Sequence, residues 1–272
     1  MSNITQKNPA LKNPTLKNPK SSAVKKPQPA SALPDDDHCR TRLGGEEALL
    51  LPQKAVYLPR CKTLVVADVH IGKAAAFRSR SFFAPDGLTA RDLDLLTFLL
   101  HDHMAERLVV LGDLVHSQDG LTRQEVELFD NFRHRHQSIN MTLILGNHDR
   151  KARMPASWKL DQVRGHIEEG PFVFCHDYED HKALNAVRRK TARAKKNTEE
   201  SGKKKPYVLS GHIHPAVVLH GRGKQSERLP CFWLRRTYAV LPAFGVFTGC
   251  YSITPTPADK VFVVAKDVVL KA

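Results

Sequence analysis

The chain has 272 residues, of which 41% are apolar, enough to bury one large core or two small ones. No stretch approaches the roughly 18 consecutive apolar residues of a membrane-spanning helix, the N-terminus lacks the apolar segment of a secretory signal, and the five cysteines show no Cys-x-x-Cys spacing. These features argue against membrane insertion, a disulfide framework and a structural zinc, and a cytoplasmic protein with reduced thiols is expected.

The formal charge of +14 is confined to two appendages. Residues 1–34 hold six lysines and no acid, and residues 182–205 hold ten bases against two acids, which leaves 26 of each sign elsewhere. In the first appendage Lys-Asn-Pro recurs at 7–9, 12–14 and 17–19, and proline at that spacing blocks helix and sheet alike. A disordered Lys/Pro-rich tail is expected over 1–38, followed by one domain over 39–272 with a basic insert at about 181–206. An electrostatic tether to nucleic acid and a plain solubilising tail both fit the first appendage, and a polyanion-binding rim and a solvated helix both fit the second.

Five apolar runs of strand character follow, each ending in a polar signature. Leu64–Ala67 leads into Asp68-Val-His70, and Leu108–Leu111 into Gly112-Asp113. Leu143–Leu145 leads into Gly146-Asn147-His148-Asp149, Phe172–Cys175 into His176, and Tyr207–Leu209 into Gly211-His212-Ile-His214. Between the first two runs, Leu93, Leu96, Leu99 and Leu100 share one face of a helix over 88–104, with Thr89 and Asp92 resembling a capping box. Thr122 and Glu125 form a clearer box at the start of a second helix through Phe129 and Phe132. Strand, helix, strand, helix, strand implies parallel pairing, so all five signatures are expected at one sheet edge. Beyond Gly211, strands over 238–241, 246–253 and 261–265 imply a second, largely antiparallel sheet.

Oxygen and imidazole ligands converging in this way suit a pair of divalent cations. Two cations roughly 3.5–4 Å apart need an anion between them, and Asp113 is the expected bridge. Asp68, His70 and His214 then complete one shell, and Asn147, His176 and His212 the other. A donor set without thiolate suits manganese, iron or zinc better than calcium or copper. Such a pair activates water for in-line attack on phosphorus, which makes phosphoester hydrolysis the leading expectation. His148, one residue past a ligand, is the candidate to protonate the leaving oxygen, with Asp149 to orient its ring. Lys73, Arg78 and Arg150 follow ligand residues closely and are candidates to hold substrate phosphates. Phe244 is expected in a core or interface rather than on a base.

The ordered set Asp-x-His, Gly-Asp, Gly-Asn-His-Asp, His, Gly-His-x-His resembles the calcineurin-like metallophosphoesterases. Within that family, Asp68-Val-His-Ile-Gly-Lys-Ala-Ala-Ala-Phe-Arg78, Gly146–Arg150, Gly211–Ala216, Leu229–Trp233 and Leu241–Gly249 are similar to the ligase-associated DNA damage response endonucleases called PdeM. The resemblance spans about residues 40–268. It implies a four-layer α/β/β/α sandwich and a manganese-dependent phosphodiesterase acting on DNA, in a bacterial repair setting beside a ligase, a helicase and a nuclease. The N-terminal tail and the basic insert depart from that pattern. Combined with the basic appendages, the resemblance favours a DNA endonuclease that prefers accessible single strands. A phosphomonoesterase or small-nucleotide phosphodiesterase would use the same ligands, and a non-catalytic nucleic-acid-binding scaffold would lack some of them.

Overall fold

The computed structural model describes residues 39–182, 205–221 and 225–272. The expected tail and most of the expected basic insert lie outside them. A seven-stranded sheet opens with an antiparallel run, β1 (Cys39–Leu43), β2 (Glu46–Leu51), β3 (Ala55–Leu58) and β4 (Thr63–Val66). It continues in parallel through β5 (Arg107–Val110), β6 (Asn140–Ile144) and β7 (Asp161–Val163). The helices α1 (Lys73–Ser79), α2 (Leu88–Asp102) and α3 (Arg123–Arg135) occupy the crossovers.

Burial on both faces explains why the central strands read as unbroken apolar runs. Leu64, Val66, Leu108, Val110, Met141 and Leu143 join the core that includes the apolar faces of α2 and α3. Their alternates Val65, Ala67, Val109, Leu111 and Ile144 join a second core, with Phe172, Phe174, Leu209, Phe232 and Leu241. Each such side chain contributes roughly 1.5–3 kcal/mol of burial, so removing one from either face weakens the sheet.

The second core packs the first sheet against another, built from β8 (His166–Glu169), β9 (Phe172–Cys175), β10 (Tyr207–Ser210), β11 (Pro215–His220), β12 (Ser226–Leu234), β13 (Tyr238–Val240), β14 (Tyr251–Ser252), β15 (Lys260–Ala265) and β16 (Val268–Lys271). On its far face Tyr178 stacks on Tyr238 at 3.6 Å, in the helical turn that opens at Tyr178. The architecture is α/β with mixed sheets flanked by helices, in keeping with an α/β/β/α sandwich.

Two expectations are corrected. The five signature-bearing strands do not share one sheet: the chain crosses over between β7 and β8 at Gly165, whose φ of +89° favours glycine, so β9 and β10 lie in the second sheet. That sheet is largely antiparallel, as expected, with parallel pairing of β10 to both β9 and β13. The strand expected over 246–253 shrinks to β14, because the segment before it wraps the Asp68 turn, with Phe244 and Gly245 donating backbone N–H groups to the carbonyls of Ala67 and Asp68.

The two expected capping boxes fare differently. Thr122 accepts the Glu125 N–H at 3.4 Å and caps α3, a contact of about 1 kcal/mol. At α2, Gly87 occupies the cap, and the buried Thr89 and Asp92 turn inward to accept the N–H groups of Gly72 and Val246.

Candidate metal centre

Each signature sits on a turn that leaves its strand abruptly. Asp68, His70, Asp113, His212 and His214 have φ between 50° and 73°, the left-handed region that costs a non-glycine residue of order 1 kcal/mol or more. The turns are locked to one another. Asp68 and His70 donate backbone N–H groups to Gly112 and Asp113, and a parallel bridge pairs Ile71 with Val115. Two glycines make the approach possible: a Cβ at Gly112 would lie 2.2 Å from the His176 ring, and one at Gly146 would lie 2.2 Å from the Asp113 carboxylate.

Across the gap between the sheets, two clusters form. Asp68, His70 and His214 place ligand atoms within 4.8 Å of one another, and so do Asp113, His176 and His212. In the first, His214 Nε2 lies 3.3 Å from Asp68 Oδ1. The second sets His176 Nε2 at 3.5 Å from Asp113 Oδ2 and 3.0 Å from His212 Nδ1. Bonds of about 2.0–2.2 Å to a common ion would place neighbouring ligand atoms about 3.0–3.6 Å apart, so these spacings fit.

A second observation supports the fit. Asp68 Oδ1, His70 Nε2 and His214 Nε2 are buried without a hydrogen bond, a costly condition unless a cation takes their lone pairs. The remaining polar atoms of the clusters are held from behind. His176 Nδ1 faces the Leu111 carbonyl at 2.8 Å and His214 Nδ1 the Gly249 carbonyl at 3.0 Å, which leaves each Nε2 free to ligate. Asp68 Oδ2 accepts the His212 N–H, and Asp113 Oδ1 the His148 N–H, both at 2.9 Å. Burial and neighbouring cationic groups, Lys73 first among them, push His70 down to about 2, so its ring is neutral and able to ligate. Cys175 adds no thiolate beside His176, because burial drives its thiol well above the ordinary range.

Residues 61–223 match the family of calcineurin-like phosphoesterases. The chain belongs to that family. It is a metallophosphoesterase, an enzyme of metal-dependent phosphoester hydrolysis. The nuclease MPE of Pseudomonas putida is 33% identical, aligns over 86% of this chain and 100% of its own, and superposes with a TM-score of 0.67. A protein of Aquifex aeolicus (16% identical, 60% of this chain and 82% of its own, TM-score 0.35) and the zinc-complexed Vps29 of Entamoeba histolytica (14% identical, 77% and 96%, TM-score 0.33) are more distant. No curated protein matches.

Around the phosphoesterase clusters lies a third group that the sequence reading missed in part. His70, His116 and His148 bring ring nitrogens within 4.8 Å. His116 stacks on His148 at 4.9 Å, and its Nδ1 lies 3.3 Å from His70 Nδ1. Burial and then His148 push His116 down to about 4. The carbonyl of His116 also holds His148 Nδ1 at 2.5 Å, the orienting contact expected from Asp149. Asp149 is buried and has both oxygens engaged elsewhere, by the N–H groups of Val115 at 2.9 Å and Gly146 at 3.0 Å. It therefore ties the Asp113 turn to the Gly146 turn. Burial, opposed by these two amides, raises its carboxyl to about 6.

The three candidate phosphate holders differ. Lys73, at the first turn of α1, is half-buried, with its pKa lowered by burial and partly restored by Asp68. Arg150 is exposed on the turn after His148. Arg78 points Nη1 at the Ala84 and Pro85 carbonyls (3.3 and 2.7 Å) and at Asp86 (3.2 Å), so the loop after α1 claims that nitrogen. Asn147 is exposed between Gly146 and His148, and Phe244 is 1% exposed in the first core. Among the described residues, no helix is long and apolar enough to cross a membrane.

Proposed function

We propose that this metallophosphoesterase is a phosphodiesterase of nucleic acid, a cytoplasmic DNA endonuclease of the PdeM type that prefers accessible single strands. The observation that carries the reading is the pair of clusters, each built from one carboxylate and two imidazoles, the first with three buried atoms that lack a hydrogen bond. Likeness to a bacterial nuclease supports nucleic acid as the substrate class. So does the basic surplus of residues 1–34 and 182–205, which would draw a polyanion to a formally neutral body. Residues 1–38 are proposed as a tail, and about 181–206 as an insert in the domain over 39–272. A repair setting beside a ligase, a helicase and a nuclease follows from the same resemblance.

In this reading Asp68, His70 and His214 hold one divalent ion, and Asn147, His176 and His212 the other, with Asp113 between them. Manganese is the proposed metal, with iron and zinc as alternatives. When bound, such a pair supplies Lewis-acid polarisation of the phosphate and a nucleophile for in-line attack near neutral pH. The chain's own residues do the rest. His148, its Nδ1 fixed by the His116 carbonyl, presents Nε2 to the leaving oxygen and donates a proton there or stabilises its charge. Asp149 keeps the His148 turn in register with Asp113, and Lys73 and Arg150 pair with phosphate oxygens, with Arg78 a lesser candidate.

A metal-by-substrate screen tests the reading: manganese, iron and zinc against single-stranded DNA, duplex DNA, RNA, small diesters and monoesters. Nicking of single-stranded DNA with manganese is expected, reduced roughly thousand-fold or more in Asp113→Ala and His148→Ala. Turnover of monoesters alone, with DNA left intact, would reassign the site to small phosphoesters.

A further inference from the structure

We propose that Phe82 and Phe83, on the loop leaving α1, form a stacking platform for the bases that flank the cleaved phosphate of a single-stranded nucleic acid. The proposal rests on the nucleic-acid reading above and names how that substrate is gripped.

The loop is built with care. Helix α1 ends at Ser79 with Arg80 as its cap; Ser81 then takes a φ of +63°, and the Ser81 and Phe82 N–H groups return to the carbonyls of Arg78 (2.9 Å) and Phe77 (3.0 Å). This is a Schellman closure, which brings Phe82 against Phe77 with ring centroids 6.0 Å apart. The beginning of the next segment is pinned by Arg78, through its contacts with Ala84, Pro85 and Asp86. Phe82 is thus held against Phe77 and the backbone on either side of Phe83 is fixed, yet Phe82 remains 62% exposed and Phe83 94% exposed. The closure accounts for one face of Phe82. Packing gives Phe83 no reason to be aromatic, because a ring so exposed gains almost nothing from burial.

Location and charge select the occupant. Phe77 lies 6.2 Å from the His116 ring and 5.7 Å from Phe247, so Phe82 stands two ring contacts from the group that positions His148. At about 3.4 Å of rise per stacked nucleotide, that span covers about one to three nucleotides beyond a phosphate at the metal centre. Positive charge lies close to the centre. Arg80 adjoins Ser81, pairs with Asp119 at 3.3 Å and, with Lys73, places positive charge within reach of His116. Exposed aromatic faces beside a phosphate-cleaving centre that has positive charge nearby suit a strand whose bases are unpaired, and a duplex would keep those bases stacked away.

The test compares cleavage of a single-stranded oligonucleotide with that of the same oligonucleotide carrying abasic residues on either side of the cut. The wild-type protein should favour the intact oligonucleotide by about 5- to 100-fold in kcat/KM, as expected for one stacked base or more. In Phe82→Ala/Phe83→Ala the ratio should fall toward one, and Phe83→Trp should keep it. Phe83→Ala alone should lower it in part, without touching the Schellman contact. An unchanged ratio in all variants would overturn the platform and leave the rings to a protein partner. A wild-type protein that cuts neither oligonucleotide while hydrolysing bis(p-nitrophenyl) phosphate would overturn the nucleic-acid reading itself, and the platform with it.

Discussion

The two sheets contribute unlike halves of the centre. From the first come both carboxylates and one imidazole, on turns that follow a strict strand-helix-strand rhythm; from the second come three imidazoles, on turns after β9 and β10, which pair in parallel across the long connection between them. Neither half makes a cluster alone, since Asp68 and His70 need His214, and Asp113 needs His176 and His212. Both sides are strained, with left-handed backbone at all three cluster residues of the first sheet and at His212 and His214 from the second. Negative charge is thus concentrated on the cross-braced turns of the first sheet, and imidazoles close over it from the other sheet.

Removing one imidazole from each cluster probes that division most strongly. His214→Ala and His212→Ala should each lower the metal content from two ions to one and reduce phosphodiester turnover roughly thousand-fold. Elemental analysis alongside kinetics reads both quantities. Loss of both ions in each variant would mean that the sheets build one indivisible centre. A smaller effect is expected for Asp149→Ala, which leaves two buried N–H groups unpaired on the first sheet's turns. Unfolding by urea should show a loss of about 2–4 kcal/mol, and an unchanged midpoint would deny the turn its brace.

The mildest probe concerns the back of the wrapped loop, where Asp92 accepts the Val246 N–H and Lys54 lies 3.5 Å from the Gly245 carbonyl. Burial raises the Asp92 carboxyl to about 6 and lowers Lys54 to about 8. The folded state therefore keeps a proton on Asp92 that the unfolded chain gives up nearer 3.8. Stability conferred by this group rises as pH falls through about 6 toward that value. Relative to Asp92→Asn, the wild type should gain about 2 kcal/mol between about pH 7 and about pH 4. Parallel profiles would show that Asp92 titrates as an ordinary surface acid.

What the sequence disclosed follows the same division. Strands buried on both faces announce themselves as apolar runs, and a polar cluster at the end of each marks a turn, so β4, β5, β6, β9 and β10 and the residues after them were all readable. Sheet membership was not, because the crossover at Gly165 is a short turn like many others and pairing partners lie far along the chain. Thr89 and Asp92 carry the letters of a capping box, yet tertiary contacts with Gly72 and Val246 claim them. Asp149 likewise has the residue type and spacing of a histidine partner, while backbone amides use both its oxygens. His116 was missed because a single histidine three positions past an aspartate has no pattern of its own.

The Asp68 carboxylate meets the His212 amide across 144 positions of sequence. No early folding fragment can therefore offer a finished cage, since neither cluster exists until both layers have closed on each other. Once they have, the backbone carbonyls of Leu111 and Gly249 fix the His176 and His214 rings with no ion needed to orient them.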